Sequence, residues 1–198
     1  MTQDSLTLAT LIGSRICHDI ISPIGAISNG LELVALTGQA DTPEMNLISQ
    51  SVEGANARVR FYRVALGLAS SEQRLGAPEI KNILAGFYAD TRMSCDWAVP
   101  EDARRDEVQA VLLALLCLGS ALASGGVFTV TKDNGVWEIS GVGKPRAPEA
   151  LWSTLKSVSI PDGLQPSEVQ FAMLPRCTNA LERVLTYTIT DESVSIRF

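Results

Sequence analysis

Ser14-Arg15-Ile16-Cys17-His18-Asp19-Ile20-Ile21-Ser22-Pro23-Ile24-Gly25 is the stretch on which the reading of this 198-residue chain turns. It carries the sole histidine of the sequence, followed at once by an acid and five positions later by a proline. Ile20, Ile24, Ile27, Leu31 and Val34 recur at steps of three and four, the pattern of a helix face turned to a core. With an advance of about 100° per residue, His18 falls about 160° from Ile20, on the opposite side of that helix. Ser14, Arg15, Ser22, Gly25, Ala26 and Asn29 share its side, and most are small or polar, so another protein's surface can come close to the imidazole. Asp19 is placed to accept a hydrogen bond from one ring nitrogen, which leaves the other free as a nucleophile. Pro23 lacks an N–H, deprives the Asp19 carbonyl of its helical partner and predicts a bend one turn beyond the pair.

Outward from this stretch, the first helix is expected over residues 6–36, with Gly38 as its closing glycine and Gln39-Ala40 as a short turn. Asp41 or Thr42 then caps a second helix, Pro43 suits its first turn and Glu44 can reach back to the cap. In that helix Met45, Ile48, Val52, Ala55, Val59, Tyr62, Leu66 and Ala69 alternate by three and four, a coiled-coil-like seam. Two long helices joined by a short loop make an antiparallel hairpin. A lone hairpin cannot bury so much apolar surface, and the expectation is a homodimer in which two hairpins form a four-helix bundle.

Residues 70–78 are polar, with Gly76 and Pro78, and read as a linker between an N-terminal hairpin domain (1–72) and a second domain (78–198). The second domain alternates helices and strands. Helices are expected over 79–91, 105–124, 148–157 and 167–181, and strands over 94–99, 127–132, 136–140, 183–190 and 193–198. Asn134-Gly135 marks a hairpin turn. The fold class is α+β: an antiparallel or mixed sheet covered on one face by helices, preceded by the helical hairpin. Trp97, Trp137 and Trp152 read as core or interface residues rather than a ligand cage.

A net charge of −6 with no basic run argues against a nucleic-acid partner. The first residues carry no export signal, and the apolar run over 108–123 is shorter than the roughly 20 residues that span a bilayer. Neither membrane insertion nor a disulfide framework is expected: Cys17, Cys95, Cys117 and Cys177 are scattered without a CxxC. A cytoplasmic protein is the simple expectation.

His18-Asp19-Ile20-Ile21-Ser22-Pro23 fits the H-[DE]-x-x-x-P phosphoacceptor pattern of two-component histidine kinases. The longer string Arg15 to Ile27 resembles the ChpT-type histidine phosphotransferases of alphaproteobacteria, and the order of elements after residue 78 resembles a histidine-kinase ATP-binding domain. The kinase pattern implies an asparagine for magnesium on the long helix, yet residues 107–125 hold none. Where a D-x-G-x-G motif would read adenine stands Ile139-Ser140-Gly141-Val142-Gly143, and isoleucine cannot accept that hydrogen bond. Gly141-x-Gly143 reads as a turn, and Glu168 to Leu174, where a glycine-rich phosphate loop would lie, has no glycine.

The resemblance therefore implies a phosphorelay protein that binds no ATP. His18 would accept a phosphoryl group from the aspartyl-phosphate of a hybrid kinase's receiver domain and pass it to a response regulator. It implies no cofactor of its own, the magnesium being held by the receiver. Asp19 would orient the imidazole or take its proton. Ser14, Arg15, Ser22, Gly25 and Asn29, with Arg60 and Arg63 of the second helix, would form the receiver-binding surface. A divergent ATP-using kinase and a non-catalytic dimeric adaptor are the competing readings.

Overall fold

The computed structural model describes residues 3–37 and 42–198; Gly38, the Gln39-Ala40 turn and Asp41 lie outside the described residues. Helix α1 (Gln3–Thr37) runs continuously through Pro23, which is buried. Helix α2 (Pro43–Ala65) packs back along α1, and its start is built as expected: Thr42 is the N-cap, and its hydroxyl accepts from the Met45 N–H at 3.4 Å.

The segment over 70–78, expected as a linker, is partly strand. Strand β1 (Arg74–Leu75) pairs antiparallel with β3 (Ala103–Arg104), so the polar 70–78 segment carries a strand and a buried leucine. Then follow α3 (Ala77–Tyr88), β2 (Met93–Trp97), α4 (Arg105–Ala121), β4 (Gly126–Asp133) and β5 (Val136–Val142). After them come α5 (Glu149–Trp152), 3₁₀ turns at Ser153–Lys156 and Pro166–Glu168, α6 (Val169–Ala180), β6 (Thr186–Ile189) and β7 (Ser193–Arg197). The main sheet has the order β2-β4-β5-β7-β6, with β2 and β4 parallel and every other neighbour antiparallel. Asn134 and Gly135, at φ 49° and 81°, close the β4–β5 hairpin in the conformation Asn-Gly favours.

Helix α4 is buried almost all round because the sheet lies on one side and α2 and α6 on the other. Trp97, Trp137, Trp152, Phe128 and Phe171 fill the interior, as core rather than cage. The α+β architecture is the expected one. Of the turn assigned to Gly141-x-Gly143, only Gly143, at φ 152°, lies outside the strand: Ile139 is fully buried in β5 between Val130 and Ile196, and Gly141 follows in the same strand. A Cβ on Gly141 would come within 2.7 Å of Leu122 and 2.9 Å of Phe128, so close packing demands the glycine.

One expectation about the hairpin needs correction. Helix α2 stops at Ala65 rather than near Ala69, because the second domain takes its terminal carbonyls. Gln109 Nε2 donates to the Ala65 and Gly67 carbonyls at 3.3 and 2.7 Å, and Arg105 donates to those of Arg63 and Leu68 at 3.0 and 3.3 Å. These side chains satisfy acceptors that a helix end leaves unpaired. Within one chain the core stripe is only partly covered, as expected of a lone hairpin. Leu8, Leu11, Ile12 and Ile16 of α1 and Phe61, Tyr62, Val64 and Ala65 of α2 pack into the second domain's core. Toward the turn, Ile24 and Leu31 stay 52% and 54% exposed, and Val52 and Val59 of the seam are exposed with them. One neighbouring helix covers only one side of another.

Candidate functional site

Helix α1 places His18 in solvent, its side chain 86% exposed. Its Nδ1 lies 2.9 Å from Asp19 Oδ1. The second oxygen of that carboxylate, Oδ2, accepts from Arg15 Nε at 2.7 Å and from the Tyr62 hydroxyl. Arg15 Nε and Nη2 each lie 3.4 Å from the same hydroxyl, and Arg15 Nη1 donates to the Ser167 carbonyl at 2.7 Å. Arg15 and Asp19 meet because residues four apart share a helix face. Tyr62 meets them because α2 packs back along α1 and sets position 62 beside position 18.

This geometry has a chemical result. A carboxylate facing Nδ1 assigns the ring proton to that nitrogen, so Nε2 keeps its lone pair and looks into solvent. Burial pushes the Asp19 carboxyl up, yet the hydrogen bonds from His18 and Tyr62 and the charge of Arg15 outweigh it and hold the group below the usual carboxylate range. Burial raises the Tyr62 phenol to about 12, with Arg15 opposing and Asp19 reinforcing. Burial disfavours the Arg15 charge, but Tyr62 and Asp19 more than restore it. The acid beside the histidine is thus a fixed anion with three donors.

Ser14, Ser22, Gly25 and Asn29 are exposed on α1. Arg15 is half-buried, its side chain 18% exposed and bonded to Asp19, Tyr62 and the Ser167 carbonyl. Arg60 and Arg63 are exposed, but Arg60 lies over α3 beside Asn82, Ile83 and Gly86. Another α2 cation, Arg58, shares a shallow hollow with Ser22, Pro23, Ala26, Ser51, Gly54 and Asp90. Sequence reading missed Arg58 and Tyr62, and the hairpin register was the signal that locates both. Among the described residues no group of three His, Cys, Asp or Glu side chains is placed to hold a metal. A cleft of about 510 Å³ separates Arg15 and Ser167 from α3 and α4, lined mostly by apolar groups such as Phe87, Leu115, Leu116 and Trp152.

Residues 77–193 match the family model described as the histidine phosphotransferase C-terminal domain, more than half of the chain. The chain belongs to that family. A relative is the protein phosphotransferase ChpT of Brucella abortus (strain 2308), 38% identical over 135 residues that make up 66% of this chain and 63% of that protein. The match therefore spans less than two thirds of that relative's length. A solved bacterial phosphotransferase superposes with a TM-score of 0.80 at 28% identity, over 100% of this chain and 98% of that one. The histidine kinase ThkA, solved with the response regulator protein TrrA, gives a TM-score of 0.47 at 16% identity over 99% of this chain and 62% of that one. No described helix is long and apolar enough to cross a membrane.

Proposed function

We propose that the protein is a histidine phosphotransferase of a two-component phosphorelay, with His18 as the phosphoacceptor. The observation that carries this reading is the free Nε2 of an exposed imidazole whose Nδ1 is tied to Asp19. In the forward step the Nε2 lone pair attacks the phosphorus of a receiver's aspartyl-phosphate. The N–P bond forms, the P–O bond to the aspartyl carboxylate breaks, and that carboxylate leaves with the electron pair. The proton stays on Nδ1, and the phospho-imidazolium charge faces the Asp19 carboxylate. A second receiver reverses the sequence. Positioning and charge stabilisation supply most of the rate in such transfers, and the magnesium belongs to the receiver's acidic pocket.

The receiver would dock on α1 around Ser14, Ser22, Gly25 and Asn29, against the hollow that Ser22 and Pro23 share with Arg58 of α2. The same reading has the second domain without ATP chemistry. Ile139 stands in the core where an adenine-reading acid would be needed, and α4 carries no asparagine. A homodimer is part of the proposal, because Ile21, Ile24 and Leu31 of α1 and Leu47 and Val52 of α2 are exposed apolar side chains on the outer hairpin.

Two parallel incubations test the reading, each with a His18→Ala control. One holds the protein with radiolabelled ATP and magnesium, the other with a pre-phosphorylated receiver of a hybrid kinase. Label reaching His18 from the receiver alone is the expected result. Label from ATP would make the chain a kinase, and silence in both tubes, repeated with a second receiver, would make it an adaptor.

A further inference from the structure

The second domain reaches the phosphoacceptor helix by a direct polar route. The Ser167 carbonyl, at the 3₁₀ turn that leads into α6, accepts from Arg15 Nη1, and Arg15 Nε holds Asp19 Oδ2. Tyr62 on α2 donates to the same oxygen and leaves Asp19 Oδ1 to face His18 Nδ1. The side chains of Arg15 and Asp19 are 18% and 17% exposed, whereas that of His18 is 86% exposed. An exposed imidazole beside a mobile carboxylate would exchange tautomers freely. Here the carboxylate is held by two donors from behind, one of them anchored to another domain.

We infer that Arg15 and Tyr62 are positioning residues for the phosphotransfer proposed above, and that the second domain acts on His18 as a brace through Ser167. The inference rests on that proposal for its reaction but not for its first readout. Because the chain has one histidine, nitrogen-15 NMR of the ring-labelled full-length protein reports a single tautomer equilibrium. The Nδ1–H form predominates in the wild type. Tyr62→Phe removes one donor, while Arg15→Lys keeps the positive charge but cannot span Asp19 and Ser167 together. Both variants shift the equilibrium toward the Nε2–H form. In transfer assays from a phosphorylated receiver the maximal rate falls roughly tenfold to a hundredfold, in line with losing one hydrogen bond to a charged group. The receiver concentration at half-maximal rate stays put. Arg176→Ala, which removes the 3.7 Å contact with Asp4 at the far end of α1 and a hydrogen bond to the Ala172 carbonyl inside α6, behaves as wild type and controls for loosened domain packing.

Unchanged tautomers and rates in Arg15→Lys would overturn the brace, and Arg15→Lys carries the test alone if Tyr62→Phe does not fold. A rise in half-maximal receiver concentration at constant maximal rate would make Arg15 a docking contact instead, which also overturns it. Failure of the wild type to accept a phosphoryl group would strike the proposed function, while the tautomer measurement would still decide whether the brace exists.

Discussion

Asp19 combines two properties that a surface carboxylate lacks: it is mostly buried, and it is held by Arg15, Tyr62 and His18 together. Its carboxyl lies below the range it has in an unfolded chain, about 3.9. A lowered pKa adds stability above the unfolded value and loses it as the pH falls through the folded one. Denaturant midpoints should therefore favour the wild type over Asp19→Asn by about 1 kcal/mol at pH 7, with the two curves converging at the acid end of the range. Tyr62 has the opposite sign. Its phenol is raised to about 12, so the folded state keeps a proton that the unfolded chain has lost, and stability falls as the pH climbs from about 10. Tyr62→Phe removes that contribution and flattens the alkaline limb of the same titration. At this scale His18 and Asp19 were legible because a motif is local in sequence. Tyr62 was hidden in an apolar seam, and its role depends on which helix face meets α1, a fact of tertiary register.

Elements were legible wherever a local rule chose them. Thr42-Pro43 starts α2, Asn134-Gly135 turns β4 into β5, and unbroken apolar character made α4 a buried helix. Their ends were not, because neighbours set them. The end of α2 is decided by Arg105 and Gln109, residues of a different element that take its carbonyls. Gln109 is buried, so Gln109→Ala leaves the Ala65 and Gly67 carbonyls without their donor in a poorly hydrated place. A loss of about 2 kcal/mol in unfolding free energy is expected, together with faster amide exchange in the last turn of α2, measured by hydrogen–deuterium exchange. Strand β1 was likewise invisible: two residues of a polar segment carry no periodicity, and only β3 makes them a strand.

For the whole molecule, composition and pattern identified an α+β chain with a hairpin in front, and more apolar surface on that hairpin than one copy buries. In the homodimer proposed above, the split stripe on α1 would be the side that the second hairpin covers. Charging it with Ile24→Glu and Leu31→Glu together should leave the second domain folded and shift the molar mass in light scattering from two chains to one. A variant that stays dimeric would place the subunit contact elsewhere. Both substituted side chains are already half exposed, so the folded monomer loses little.

The fastening of α2 to α4 has one more consequence. A catalytic domain that delivers a phosphoryl group from its own nucleotide has to travel to its histidine and back, and needs a slack elbow. Here the elbow is bolted: β1 is stitched to β3, Arg105 and Gln109 grip the helix end, and Ser167 holds Arg15. These contacts hold the second domain seated against the hairpin. Under the proposed function the phosphoryl group would come to His18 on a docking receiver, and the second domain would not have to move to deliver it.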